Sequence, residues 1–375
     1  MQFDVSYLNE ASHKYNGISE QVQTQFICIN LNMLLAKNEL YSKVIQDISM
    51  YPGIQLSDDA IGTLASKFYI RNHMFSVNIE FRNKLGALVE IPIEKLYLYT
   101  ECAYYSKKRT PSMVMFVNHS TATGIFTRGG KMNLVGGYTQ HEVKYALIMF
   151  LGRIEEGMRR FYNNANISIK ITKLKLENYV VSSKLPFSKI DIYNASKFTD
   201  VMRIPRIFVP EHYNLLNVRP FRSAAPSVHI RIFPTGGIVL AGCKSLFEIN
   251  VAIQFLASII KPFIVPAWPT TNTAKGVLVD SWARDREIKM FNRELMKLKQ
   301  MQRKRMKWEE QKQAKMTELG LHTLLKETSW QFDNSRVKIM QLELANVTAA
   351  LAKDDTFSEA SYNEEDEGND FDDEL

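Results

Sequence analysis

The stretch that decides the fold spans residues 125–154 and reads IFTRGGKMNLVGGYTQHEVKYALIMFLGRI. A second stretch of the same design, RIFPTGGIVLAGCKSLFEINVAIQFLASII, occupies residues 231–260, so corresponding positions lie 106 residues apart without a gap. In both, a strand pattern leads into a glycine-containing turn, and a second strand pattern ends at Gly136 or Gly242. A helical pattern follows, so each stretch predicts a strand–turn–strand–helix unit.

The two predicted helices begin and pack alike. Thr139 with Glu142, and Ser245 with Glu248, have the spacing of capping boxes, in which side-chain oxygens accept from free backbone N–H groups. Apolar residues then recur at the spacing of one helix face: Val143, Ala146, Leu147, Phe150 and Ile154 in the first copy, and Ile249, Ala252, Ile253, Leu256 and Ile260 in the second. This repetition indicates a duplicated α+β fold.

Length and composition are those of an ordinary globular protein. The chain has 375 residues, of which 45% are apolar and 23% charged, enough for two domains or one duplicated domain. The pattern predicts no membrane span and no signal peptide. Three scattered cysteines, Cys28, Cys102 and Cys243, indicate a reducing compartment and lack zinc-site spacing. We therefore expect no metal and no other cofactor.

Charge is distributed unevenly along the chain. The formal net charge is +7, yet residues 354–375 carry eleven acidic residues and no Lys or Arg, which leaves +18 on residues 1–353. A basic body with an acidic tail suggests a polyanionic partner, most plausibly nucleic acid. Charge alone fits equally well with a soluble surface and a disordered tail.

Signals for enzymatic chemistry are weak. Gly129-Gly130-Lys131 lacks the spacing of a phosphate-binding loop, and Met132 stands where such a loop needs a hydroxyl. His141-Glu142 lacks the second histidine of a zinc-protease motif, and no Ser or Cys nucleophile motif is present. The sequence predicts that the protein is not an enzyme and has no small-molecule substrate.

The chain divides by pattern into five segments. Residues 91–99 match residues 185–193 at a spacing of 94, which predicts extra residues in the second copy within 203–214. A basic helix is predicted over 284–315, with Lys304, Arg305, Lys307, Lys312 and Lys315 as candidate phosphate contacts. A solvated helix that packs Met296, Met301 and Met306 on a partner protein is the equal alternative. A second helix is predicted over 337–351. The segments are an N-terminal accessory region (1–74), repeat 1 (75–162), repeat 2 (163–268), a basic helical extension (269–353) and a disordered acidic tail (354–375).

Several local motifs share one resemblance. Gly130-Lys131-Met132, Gly136 and the run 231–244 (RIFPTGGIVLAGCK) resemble the GKM and TGAK motifs of the TATA-box-binding protein (TBP) family, as does 173–183 (KLKLENYVVSS). The resemblance covers about residues 75–265 and both repeats. It implies a curved antiparallel sheet shaped as a saddle, with helices on the convex face and a concave face that lies in the minor groove of DNA. A helical C-terminal extension would be added to this saddle.

The family's paired asparagines at the saddle centre correspond to Asn83 and Asn178, if one residue is inserted in the first repeat. An amide can donate to the A N3 and T O2 acceptors of the minor groove. The alternative is an asparagine that bonds its own backbone in a turn.

The family's DNA wedges are two phenylalanines per repeat. Their positions hold Leu216 and Phe233 in the second repeat but Thr110 and Thr127 in the first, which are too small to separate stacked bases. A core or interface role for Phe233 stays open. The remaining candidates on the concave face are Ile125, Asn133, Val135, Arg231, Val239 and Ala241. The candidates for phosphate contact are Lys108, Arg109, Lys131 and Lys244.

The resemblance therefore implies a transcription initiation factor that binds A/T-rich double-stranded promoter DNA and recruits general transcription factors or RNA polymerase subunits. Its expected location is intracellular, in the nucleus or in a viral factory or virion. Two alternatives stay open. One is an interaction scaffold that has lost strong DNA bending, and the other is an accessory subunit of a nucleic-acid enzyme.

Overall fold

The computed structural model describes residues 3–56, 59, 64, 67–106, 111–163, 166–185, 188–210, 213–266 and 275–319. These fall into two compact units, one with residues up to 266 together with 305–319, and one with 275–304. The predicted second helix over 337–351 and the acidic tail lie outside the described residues.

The first unit is built on two copies of one succession of elements. Two N-terminal helices, α1 (Val5–Lys14) and α2 (Asn16–Ser49), precede them. The first copy contains β1 (Tyr69–Arg82), α3 (Ile93–Tyr99), β2 (Ala103–Ser106), β3 (Ser112–Phe116), β4 (Thr123–Thr127), β5 (Lys131–Gly136) and α4 (Gln140–Phe161). The second contains β6 (Ser168–Lys184), β7 (Ser188–Ile190), α5 (Ile192–Val201), β8 (Arg206–Val209), β9 (Tyr213–Val218), β10 (His229–Ile232), β11 (Gly237–Cys243) and α6 (Leu246–Ile260).

Ten strands form one sheet in the order β2-β3-β4-β5-β1-β6-β11-β10-β9-β8, in which the second half repeats the first in reverse. The central strands β1 and β6 pair antiparallel, with His73 opposite Tyr179. These two residues are themselves 106 apart, so the pseudo-twofold axis of the duplication passes between them. The predicted fold class, a duplicated α+β saddle, is confirmed.

Hydrogen bonds at the hairpin turns follow the same axis. Gly130 and Gly236 both have positive φ, at 72° and 77°. Their carbonyl oxygens accept from Ile79 N at 2.8 Å and from Leu185 N at 2.9 Å, again residues 106 apart. Leu185 is therefore the counterpart of Ile79 rather than of residue 91, and the predicted match between 91–99 and 185–193 is wrong.

Helices and loops account for the unequal spacing. α3 begins at Ile93 and α5 at Ile192, 99 residues apart. The first residues of β2 and β8 are 103 apart, and those of β4 and β10 are again 106 apart. The additional residues of the second copy thus lie on both sides of β8 and β9, whereas the prediction confined them to 203–214.

The predicted capping boxes hold, with one difference. Thr139 Oγ1 and Ser245 Oγ accept from the backbone N–H of Glu142 and Glu248, each at 3.1 Å. Each glutamate accepts from the N–H of the residue before the cap, Tyr138 or Lys244, rather than from the cap itself. Burial raises the pKa of Glu248.

The N-terminal helices belong to this unit and are not a separate accessory region. Val22 and Phe26 of α2 lie in the core beneath repeat 1, whereas Val44 and Ile48 lie in the core beneath repeat 2. α2 therefore joins the two cores on the helical side of the sheet. The predicted boundary at residue 75 falls inside β1, which begins at Tyr69.

The basic extension forms α7 (Lys275–Glu318), and its last turns, in residues 305–318, pack on repeat 1. Trp308 stacks on Tyr104 and Phe116, with ring centroids at 4.8 and 5.4 Å. Met316 is fully buried in the core. Lys312, 2% exposed, donates from Nζ to the Thr100 carbonyl oxygen at 2.7 Å, so its predicted role as a phosphate contact is wrong.

One stretch, Leu246–Phe263, is long and apolar enough to cross a membrane by length and composition, although the sequence pattern predicted none. It comprises α6 and the turn after it, and 61% of its residues are buried. Burial of this helix against the sheet accounts for its apolar composition.

Candidate nucleic-acid interface

One face of the sheet carries the helices, and the other is the candidate interface, which we call the open face. Strand residues alternate between the faces. Phe126, Met132, Ile232 and Leu240 are buried under the helices. Their strand neighbours on the open face are half-buried or exposed, and pair across strands as Ile125 with Asn133, Thr123 with Val135, Arg231 with Val239, and His229 with Ala241.

Two asparagines lie symmetrically beside the pseudo-twofold axis. Asn72 Oδ1 accepts from Gly136 N at 2.7 Å, and Asn178 Oδ1 accepts from Gly242 N at 2.6 Å. Both glycines have positive φ, at 107° and 85°, and a Cβ on Gly242 would collide with the Ser227 carbonyl oxygen. Because each amide oxygen is engaged, the NH₂ group is the part of each side chain that can bind a ligand. That of Asn178 lies 3.8 Å from Met74 Sδ, a weak acceptor that a stronger one on a ligand would replace.

The chain's counterpart of Asn178 is therefore Asn72, and the prediction of Asn83 is wrong. Asn83 lies in the turn after β1, where its Oδ1 accepts from the backbone N–H of Leu85 and Ala87, both at 3.0 Å. This is the turn role that the sequence analysis held as the alternative. The missed residue had a signal in the sequence, since Asn72 precedes Asn178 by the same 106 positions that relate the rest of the repeat.

A second symmetric pair of hydrogen bonds carries opposite charges. Ser76 Oγ donates to Glu177 Oε1 at 2.6 Å, and Arg71 Nε donates to Ser182 Oγ at 2.9 Å. Ser76 corresponds to Ser182, and Arg71 to Glu177, so an acid and a base occupy equivalent positions. Hydrogen bonds from Ser76 and Lys175 lower the pKa of Glu177, so its carboxylate is ionised at neutral pH.

Several known proteins with similar sequences are described as TATA-box-binding proteins. No protein-family model matches the chain. A TATA-box-binding protein of Pyrobaculum neutrophilum is 25% identical over 46% of this chain and 80% of its own length. That of Schizosaccharomyces pombe is 23% identical over 52% of this chain and 74% of its own length. The chain is a divergent TBP-like protein.

The solved structure of Methanococcus jannaschii TBP is also similar, at 22% identity and a TM-score of 0.38, over 52% of this chain and 99% of that one. About half of the TBP-like chain thus lies outside the matched length.

One of the two predicted wedges of the TBP-like sheet is wrong. Leu216 is fully buried in the core of repeat 2, on the helical side. Its counterpart in repeat 1 is Met113, also fully buried, because Leu216 pairs with Ile232 as Met113 pairs with Phe126. A residue in that position cannot reach a ligand on the open face.

Phe233 keeps its place as a candidate wedge. It is half-buried at the β10–β11 turn, where its N–H donates to the Gly237 carbonyl oxygen at 2.9 Å. A Cβ on Gly237 would lie 3.5 Å from the Phe233 ring, which places the ring beside the open-face side of β11. Its counterpart, 106 residues earlier, is Thr127, as the sequence predicted.

The predicted basic contacts divide into two groups. Lys131 and Lys244 are exposed, and Arg231 is exposed on the open face. Lys108, Arg109 and Thr110 lie outside the described residues. Three further lysines of β6 that the sequence pattern did not single out are also exposed, namely Lys173, Lys175 and Lys184. Alternation along β6 beside the buried Leu174 and Leu176 was the available signal.

Cysteine chemistry is disfavoured at the buried thiols. Burial raises the pKa of Cys102 to about 11 and that of Cys243 to about 12, so neither forms the reactive thiolate at neutral pH. Within the described ranges, no group of three or more His, Cys, Asp or Glu residues is arranged to hold a metal ion.

Proposed function

We propose that the open face binds A/T-rich double-stranded DNA in the minor groove and that the protein acts as a transcription initiation factor. The observation that carries the proposal is the pair Asn72 and Asn178, whose amide oxygens are held by glycine N–H groups. Their NH₂ groups are donors, and the minor groove of A/T base pairs presents the acceptors A N3 and T O2. G·C pairs add a donor in the same groove, which two amide donors would oppose.

The surroundings of the asparagines suit a bent minor groove. Ile125, Val135 and Val239 offer apolar contact to sugars and base edges, and Phe233 offers one wedge at the repeat 2 end. Arg231, which is exposed, favours a narrow and electronegative groove. Exposed lysines such as Lys131 and Lys184 contact phosphates, so binding weakens as salt rises.

Recruitment of general transcription factors or RNA polymerase subunits is the second part of the proposal. It is supported by similarity to proteins named TATA-box-binding proteins. The same similarity supports an intracellular, nuclear location for the activity, whereas a viral factory or virion stays a prediction from the sequence.

The test is equilibrium binding of the full chain to matched A/T-rich and G/C-rich duplexes. Fluorescence anisotropy of labelled DNA measures the affinity at several salt concentrations. We expect tighter binding to the A/T-rich duplex at every salt concentration. Affinity should fall linearly with salt on a double logarithmic plot, because lysines and arginines displace counterions. Equal affinity for the two duplexes would contradict minor-groove readout.

A second candidate is a protein-interaction scaffold, favoured by two observations. Thr127 stands where the symmetric wedge of Phe233 would be, and the ionised Glu177 lies at the centre of the open face, where it opposes a polyanion. A scaffold would bind both duplexes weakly and without bending them. The same titration, read with a bending probe, separates the two functions.

A further inference from the structure

The helix α2 carries an apolar stripe that the fold leaves largely exposed, with one contact to α6, where the Tyr41 ring lies 6.0 Å from that of Phe247. Six large apolar side chains along 19 residues of this helix are between 43% and 78% exposed: Ile27, Leu31, Leu34, Leu35, Tyr41 and Ile45. Cys28, beside Ile27, is exposed as well. Apolar side chains scattered over a surface are ordinary, but a continuous row along one helix indicates an interaction site.

The opposite side of α2 is already fixed in the protein. Phe26 and Val44 are 2% and 1% exposed in the two cores. Gln21 Oε1 accepts from Ile171 N at 2.8 Å, and Gln25 Oε1 accepts from Leu174 N at 3.3 Å, along the part of β6 that lies beyond β11. These contacts fix the rotation of α2 about its own axis. The stripe is therefore exposed in the folded protein and is not a core face that has failed to pack.

The stripe has the spacing of a coiled-coil seam. Residues 27, 31, 34, 38, 41 and 45 follow one another at steps of four and three, which is the alternation of a and d positions in a heptad. Ile27, Leu34 and Tyr41 take the d positions, whereas Leu31, Asn38 and Ile45 take the a positions. A single asparagine at an a position is the feature that fixes register and favours two strands in parallel coiled coils.

We propose that α2 pairs with α2 of a second copy of this chain as a short, parallel, in-register coiled coil. In that arrangement Asn38 meets its own counterpart, and each amide can donate to the other's oxygen. No like charges face each other, since the flanking e positions are Cys28, Leu35 and Ser42 and the exposed g positions are Asn30 and Lys37. The last g position, Val44, is buried in the core beneath repeat 2 and takes no part in the seam. A second copy thus offers a partner to the exposed a and d residues.

The proposed dimer is independent of DNA binding and compatible with it. α2 lies on the helical side of the sheet, so pairing through it leaves the open face of each copy uncovered. The seam is short, at 19 residues of α2, so we expect a weaker dimer than those with standard interfaces of roughly 800 Å² per partner, with a dissociation constant of about micromolar.

Sedimentation equilibrium of the full chain, without DNA, tests the dimer. We expect a monomer–dimer equilibrium that Leu31→Glu with Leu34→Glu weakens at least about a hundredfold, because four carboxylates would enter the seam. Leu85→Glu is the matched control, since Leu85 is an exposed leucine (91%) in the turn after β1. It should leave the equilibrium unchanged. Both positions are exposed, so equal thermal melting of the variants verifies that folding is intact.

The register has its own readout. Asn38→Cys in a Cys28→Ser background should give a covalent dimer with a short bismaleimide crosslinker, whereas Leu85→Cys in the same background should not. A monomer up to about 100 µM would overturn the proposal. So would a dimer that survives the double glutamate variant, or one in which Asn38→Cys fails to crosslink.

Discussion

Asn72 and Asn178 accept the same hydrogen bond, each from the N–H of a glycine 64 residues further along the chain. The two asparagines lie on either side of the His73–Tyr179 pair, at the centre of the sheet. Duplication has thus placed two identical amide donors at symmetric positions on the open face, and the functional proposal depends on them.

We predict that Asn72→Ala and Asn178→Ala weaken binding to A/T-rich DNA to a similar extent. Loss of one donor to a buried acceptor costs about 1–3 kcal/mol, or roughly 5- to 150-fold in affinity. Asn83→Ala should leave the affinity unchanged, because Asn83 serves a turn. Anisotropy titrations of the three variants check this. A larger loss for Asn83→Ala than for Asn72→Ala would restore the assignment made from sequence.

The charge difference between Arg71 and Glu177 predicts a preferred orientation on DNA. The half of the open face with Arg71 should lie over the narrower, more electronegative part of an asymmetric A-tract site. Exchange of the two charges, Arg71→Glu with Glu177→Arg, should reverse the orientation. Cleavage of end-labelled DNA by an iron chelate tethered to repeat 2 reports which end is near. An unchanged cleavage pattern in the exchanged variant would contradict the prediction.

The single wedge predicts an asymmetric bend. Phe233→Ala should reduce the bend angle measured by fluorescence energy transfer between the ends of the duplex, because no other phenylalanine replaces it at that turn. Thr127→Phe should increase the angle by adding the missing wedge in repeat 1. Thr127→Val is the control of nearly equal size for loss of the hydroxyl, which donates to the Lys131 carbonyl oxygen at 3.0 Å. Equal angles for wild type and Phe233→Ala would remove Phe233 from the mechanism.

His73 predicts a loss of stability in acid. Its Nδ1 lies 2.7 Å from the Gly137 carbonyl oxygen, to which it donates, and burial lowers its pKa below the ordinary value of 6.5. The imidazole of His73 therefore takes up its second proton more readily in the unfolded chain than in the folded one. The stabilising effect is complete above pH 6.5 and is lost as the pH falls from there through the folded pKa, with a slope of at most about 1.4 kcal/mol per pH unit.

Urea unfolding at several pH values checks the slope. His73→Asn should flatten it between pH 6.5 and 5, whereas the exposed His141→Asn should retain the slope of the wild type. A slope that persists in His73→Asn would assign the acid sensitivity to other groups.

The last turns of α7 are predicted to contribute to the stability of repeat 1. Met316→Ala should lower the free energy of unfolding by about 2–5 kcal/mol, since Met316 is fully buried in the core. Met306→Ala, on the same helix and 52% exposed, is the matched control and should cost little. Similar losses for the two variants would show that this segment is not part of the folded core.

Sequence reasoning identified the duplication and the capped helices, because both depend on local patterns at a constant spacing of 106. The saddle followed from the resemblance to the TBP family, and the role of Asn178 that this resemblance implies stays a prediction. Sequence reasoning misplaced Leu216 for a physical reason. Loop lengths differ between the copies, so the strand pairings make Leu216 the equivalent of Met113, 103 residues earlier, and not of the residue at a spacing of 106. The difference of three is odd, and an odd difference moves a strand residue to the other face. Asn83 was chosen from a local motif, whereas the hydrogen bond that identifies Asn72 comes from a glycine distant in sequence.

The exposed seam of α2 was beyond sequence reasoning for a different reason. The run from Phe26 to Leu35 is apolar around most of the helix, so its pattern does not distinguish the side that packs on the sheet from the side that does not. The burial of Lys312 was also beyond sequence reasoning. Its charge predicted a position in solvent, whereas α7 places it against the Thr100 carbonyl oxygen.

The most direct measurement of the central claim is the ratio of affinities for matched A/T-rich and G/C-rich duplexes, for the wild type and for the double variant Asn72→Ala with Asn178→Ala. We predict that the wild type prefers the A/T-rich duplex by at least about tenfold. The double variant should bind the A/T-rich duplex as weakly as the G/C-rich one, with an affinity for both that still falls as salt rises. A wild type without preference, or a double variant that keeps it, would contradict the assignment of the open face as a minor-groove reader.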